Sequence, residues 1–142
     1  MMGIAMADVR SELPPVSDVV TEFIRVQVVS QHSAENSRPD QGVWVFQYTV
    51  RITNQGDETV QLVSRHWIIT DGVGHTEEVR GPGVVGEQPV LEQGRAFQYS
   101  SWCPLKTPMG VMRGTYQMIS ASGRKFDIEI APFALKARYT IN

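Results

Sequence analysis

Val43-Trp44-Val45-Phe46-Gln47-Tyr48-Thr49-Val50-Arg51-Ile52-Thr53 alternates with a period of two. Trp44, Phe46, Tyr48, Val50 and Ile52 fall on one face, and Val45, Gln47, Thr49 and Arg51 on the other. That is the pattern of a half-buried strand. It stops at Asn54-Gln55-Gly56-Asp57, residue types that favour a turn. Working outward, residues 21–30 supply a strand before it and residues 60–70 one after it. The latter closes at Asp71-Gly72-Val73-Gly74, a hairpin signal, with residues 75–80 pairing back. Residues 96–102, 110–120 and 125–130 continue the series, the last two joined across Ser122-Gly123, and 133–140 carry a final strand. Residues 31–42 read as one long, mobile polar loop. Turns every 8–12 residues without a helical period predict an all-β antiparallel sandwich of seven to eight strands, a small barrel being the runner-up.

A chain of 142 residues forms one domain and removes roughly 68% of its unfolded surface from water, so it needs no metal or disulfide staple. Residues 1–20, small side chains followed by Pro14-Pro15, read as a flexible leader partly ordered at its end, and 21–142 as the folded domain. A net charge of −2 argues against a broad nucleic-acid or membrane surface. No run of residues approaches the ~20 apolar positions of a membrane helix. Asp8, Arg10 and Glu12 break up any signal peptide. Cys103 is the sole cysteine, so no internal disulfide forms. A cytoplasmic location is expected.

Gly81-x-Gly83-x-x-Gly86 has the spacing that brings backbone amides to a pyrophosphate at a helix N-terminus. Pro82 removes one of those amides, Pro89 follows closely, and residues 90–99 lack a helical period. The dinucleotide reading therefore fails for want of its context. Two readings of the loop remain: glycines serving backbone geometry, or a nest binding an anion, with Arg80 and Arg95 adding charge. The candidate anion-binding set is thus Arg80, Gly81, Gly83, Gly86 and Arg95.

Elsewhere the chemistry is sparse. His75 and Glu77 share a strand face, but three converging ligands are not apparent, so no metal is expected. His66 lies opposite Arg65 and Trp67 by alternation and reads as a structural histidine bonded to backbone. Cys103, in a strand ending Cys-Pro, lacks the cation or helix terminus that lowers a thiol pKa and reads as core. No catalytic residue and no cofactor are expected.

Arg65-His66-Trp67, Thr70-Asp71 with Gly74, and Val79 through Gly81-Pro82-Gly83-Val84-Val85-Gly86-Glu87-Gln88-Pro89 form an ordered series. It continues with Phe97-Gln98-Tyr99-Ser100, Cys103-Pro104-Leu105, Thr107-Pro108-x-Gly110, Met112-x-Gly114-x-Tyr116 and Pro132-Phe133-x-Leu135. Over residues 21–138 this resembles the ApaG domain. The sequence departs from the family at Glu92-Gln93-Gly94, where a proline more often precedes the glycine, and at Ser101-Trp102, where a small residue is usual. The resemblance implies a fibronectin type III-like sandwich. It also implies a non-enzymatic protein-interaction module, tied indirectly to cobalt resistance and magnesium efflux. In eukaryotes the domain is appended to an F-box protein and to a DNA polymerase δ-interacting protein. The alternative is a phosphate, pyrophosphate or nucleotide binder using the glycine loop. Expected partners are a protein of unknown identity and, on the alternative, a small phosphate-containing ligand, with no nucleic acid and no membrane. Monomer and weak homodimer both stay open.

Overall fold

The computed structural model describes residues 16–138. Among them nine strands pack as two antiparallel sheets, with no α-helix. The first sheet has the order β1-β2-β3-β7: β1 (Ser17–Thr21), β2 (Ile24–Arg38), β3 (Val43–Asn54) and β7 (Ala96–Leu105). The second has the order β5-β4-β8-β9: β5 (Thr76–Pro82), β4 (Val60–Asp71), β8 (Met109–Ser120) and β9 (Lys125–Lys136), with the short β6 (Val90–Leu91) pairing β4. The antiparallel sandwich expected from the sequence is the fold.

The alternation of β3 sets the core. Phe46, Tyr48, Val50 and Ile52 are buried, and Trp44 packs against them at the end. From the other sheet, Trp67 meets Tyr48 edge-on at 5.3 Å between ring centroids, Phe133 at 6.1 Å and Tyr116 at 6.3 Å. Such tilted pairs add about 0.5–1.5 kcal/mol each beyond their buried area. Asn54 ends β3 fully buried, and its Nδ2 donates to the carbonyls of Glu58 (2.8 Å) and Leu91 (2.9 Å). Its Oδ1 accepts from Gly56 N at 2.9 Å. One side chain thereby joins the turn after β3 to β6.

Two details differ from the sequence reading. Residues 31–42 are not a loop for most of their length, because β2 continues to Arg38 through a register shift between Ser33 and Arg38. Ser37 carries the irregular stretch: its hydroxyl donates to Ser33 O at 2.7 Å and accepts from Val45 N at 2.8 Å. A 3-10 turn, Pro39–Gln41, then leads to Gly42. Residues 125–130 and 133–140 are one strand as far as Lys136, since a bulge at Ala131–Pro132, opposite Arg113 of β8, carries the strand past the break. The expected end of that strand, 139–140, lies outside the described residues. β1 occupies the close of the segment read as leader, and residues 1–15 lie outside the description.

The two lateral edges of the sandwich differ. On one, β1 and β2 are stitched to β9: Ser17 Oγ donates to Ala131 O (2.7 Å), Glu129 N donates to Thr21 Oγ1 (3.1 Å), and Ser30 Oγ of β2 donates to Ala134 O (3.4 Å). On the other, β5 overhangs β7. Every residue of β5 except Gly81 is exposed, whichever face it occupies.

Candidate functional site

The glycine loop closes this open edge at one end. Gly83 N donates to Val63 O at 2.8 Å, and Val84 and Glu87 exchange backbone bonds at 2.8 and 2.9 Å. Val85 (φ 42°) and Gly86 (φ 82°) form the tight turn between them. Three amides that a nest would aim at an anion are therefore spent inside the protein. The carbonyls of Pro82 and Gly83 both accept from Arg65 Nη1, at 3.0 and 2.9 Å. Gly81 makes room for that guanidinium: a Cβ there would lie 3.0 Å from Arg65 Nη2.

Of the residues singled out by sequence, Gly81, Gly83 and Gly86 sit in this loop. Arg80 precedes it on the outer face of the sheet, its Nη2 3.5 Å from Glu78 Oε1. Arg95 lies in the turn from Glu92, where its carbonyl accepts from Asn54 N at 2.9 Å. The arginine in contact with the loop carbonyls is Arg65. Sequence reasoning missed that role, although alternation places Arg65 beside the core residue Trp67 and so points it inward.

His66 faces outward, and its Nε2 lies 2.7 Å from Glu78 Oε1. A backbone partner was expected; the partner is a carboxylate brought alongside by β5, whose Arg80 pairs with His66 in register. The hydrogen bond from His66, with Arg80 and Arg113 nearby, holds the Glu78 carboxyl below its ordinary pKa. His66 and Arg80, with Ser64, Arg65, Gly81, Thr115, Gln117 and Asp127, line a shallow polar basin of about 320 Å³.

Beneath the β5 overhang lies a cleft of about 260 Å³ lined by Val43, Ile69, Pro104 and Leu105, with Asp71, His75, Glu77 and Lys106 around them. Its floor is apolar and its rim charged, which suits a side chain larger than valine entering from solvent. Asp71 is held by its own turn, its Oδ1 accepting from Val73 N (3.0 Å) and His75 N (2.9 Å). Cys103 lies deeper. Burial, and secondarily the Glu77 charge, push its thiol up to about 11, so it is a poor nucleophile at neutral pH. Among the described residues no group of three His, Cys, Asp or Glu is placed to hold a metal ion, and no helix is long and apolar enough to cross a membrane.

Comparison with known proteins bears on this geometry. The ApaG domain model matches residues 34–120. The protein named ApaG from Anaeromyxobacter dehalogenans (strain 2CP-C) is 53% identical over 127 residues, covering 89% of this chain and all of that one. The ApaG protein of Bradyrhizobium sp. (strain ORS 278) is 56% identical over 116 residues, 82% of this chain and 89% of the relative. The crystal structure of the putative ApaA protein from Bordetella pertussis superimposes with a TM-score of 0.79 at 47% identity. It covers 89% of this chain and 100% of that one. The C-terminal domain of wzt shares the fold alone, with a TM-score of 0.53 at 8% identity. With a family model spanning more than half of its length and relatives above half identity, the chain belongs to the ApaG domain family.

Proposed function

We propose that this protein is a non-enzymatic interaction domain of the cytoplasm that binds a protein partner through the cleft under β5, and that any link to cobalt and magnesium homeostasis runs through that partner. The observation that carries the reading is the asymmetry of the sandwich. One edge is stitched shut, while the other holds an apolar hollow behind an overhanging strand, rimmed by Glu77, Asp71 and Lys106. An apolar floor with a charged rim is how interaction surfaces combine affinity with orientation. The phosphate alternative draws less support, because the amides of Gly83, Val84 and Glu87 are already bonded.

The test is affinity capture from a native lysate with wild type, Glu77→Arg, Lys106→Glu and, as a control on the far side, Lys125→Glu. A specific partner retained by wild type and the control, and lost at either rim variant, is the expected result. Retention unchanged by both rim variants would remove the cleft from the function. Titration with Co²⁺ should show no saturable site tighter than about 100 µM, or ~5.5 kcal/mol.

A further inference from the structure

Among the described residues, β5 bonds to β4 on one side and to no strand on the other. The parity of its ladder is readable at both ends. Asp71 N donates to His75 O (2.9 Å) just before the Thr70–Thr76 pair, and Gly83 N donates to Val63 O (2.8 Å) just after the Ser64–Pro82 pair. Hydrogen-bonded and non-hydrogen-bonded pairs alternate in an antiparallel ladder. Odd-numbered residues of β5 therefore bond to β4, and even-numbered ones turn their backbone groups to the free edge. That edge offers N–H and C=O from Thr76, Glu78 and Arg80, and C=O alone from Pro82.

We propose that this edge is a homodimer interface, in which a second copy adds its own β5 antiparallel about a two-fold axis at Val79. Symmetric pairing is isologous, so whatever faces residue i must also be faced by it. Even residues must face even residues, or the donors miss their acceptors, and that confines the axis to a residue. An axis on Glu78 or Arg80 sets like charges directly opposite each other, which is destabilising. At Glu77 the axis does the same on the inner face. Moved to Gly81, it shortens the ladder to a rung between Arg80 and Pro82, which has no donor. At Val79, Glu78 faces Arg80 of the partner subunit, Arg80 faces Glu78 of the partner subunit, and Glu77 faces glycine. The missing N–H of Pro82 then falls on the outermost rung, opposite Thr76, where one bond fewer matters least. Val79, 39% exposed on an otherwise polar strand, meets its symmetry mate at the axis.

The surface is small beside the ~800 Å² per partner of a standard stable interface, so the dimer is weak and forms as concentration rises. Its hydrogen bonds come from the backbone of Thr76, Glu78, Arg80 and Pro82, whereas the cleft takes the Glu77 side chain from β5, so variants at 78 and 80 test it separately from the partner site.

Sedimentation velocity and amide exchange on the full chain test this. Wild type should pass from monomer to dimer with concentration. Exchange at Thr76, Glu78 and Arg80 should slow by about tenfold on going from dilute to concentrated protein, with little change at Glu77 and Val79. Glu78→Arg and Arg80→Glu should each weaken association by at least about tenfold, since both symmetry-related pairs become like-charged. The combined Glu78→Arg, Arg80→Glu variant should restore it. A protein still monomeric at about 1 mM, protection without the even-residue pattern, or a combined variant no stronger than the single ones would overturn the proposal.

Discussion

At Gly83 the backbone turns with φ +61°, and a Cβ built there would sit 2.2 Å from the carbonyl oxygen of Glu87. Left-handed backbone costs an L-residue about 1–2 kcal/mol, and the overlap adds to it. Gly83→Ala should therefore lower stability by at least about 2 kcal/mol in urea titration. Millimolar pyrophosphate should not raise the melting temperature of the wild-type protein. A phosphate site occupied at a hundredfold excess over Kd would contribute ~2.7 kcal/mol, a shift too large to miss. Stabilisation by pyrophosphate that vanishes in Gly83→Ala or Arg80→Ala would restore the anion reading. The spacing of these glycines was plain in the sequence, but their reason was not. Gly81 is small because of Arg65, sixteen positions earlier and opposite it across the ladder. Partners of that kind appear only once strands are in register.

Among the elements, the β1–β2 hairpin turns through Glu22 (φ 49°) and Phe23 (φ 69°), a two-residue connection of the kind that favours Asn-Gly. Phe23 is 71% exposed, so its ring recovers little of the cost. Glu22 does pair with Arg124, though both groups are near half-exposed, and such ion pairs contribute modestly. Glu22→Asn with Phe23→Gly should then stabilise the protein by about 1 kcal/mol, a gain of a few degrees in melting temperature. A lower melting temperature would show that the ion pair or the Phe23 contacts outweigh backbone strain. Sequence reading located the long strands well, because a two-residue period is a local signal. It lost the second half of β2, where polar residues 31–38 disguise an edge-like, bulged strand held by Ser37. It also split β9 at Pro132, since a bulge depends on the neighbouring strand.

For the molecule as a whole, burial raises the pKa of Tyr48, Tyr99 and Tyr116, and Tyr99 and Tyr116 share a hydroxyl–hydroxyl bond of 2.5 Å. The Cys103 thiol moves the same way. Each group is therefore protonated in the folded state at pH values where the unfolded chain, with tyrosine near 10 and cysteine near 8.5, has begun to ionise. The folded state then binds more protons, so stability falls as pH rises. Urea midpoints should be level from about pH 7 to about 8 and fall steadily above about 9. A profile that stays flat through about pH 11 would mean that these hydroxyls are not sealed from water. The sandwich itself was legible at this scale from turn spacing and strand count. The difference between its two edges was not, because it arises from which strands overhang, and the clefts follow from that difference.

The stitched edge also has a mechanical meaning. β1 and β9 run in opposite directions along it, so Ser17 lies beside Ala131 and Thr21 beside Glu129. Tension applied through Ser17 and Lys136 loads those contacts one after another from the same end. The edge that is tightest at rest is thus the one that peels open first under a pull along the chain.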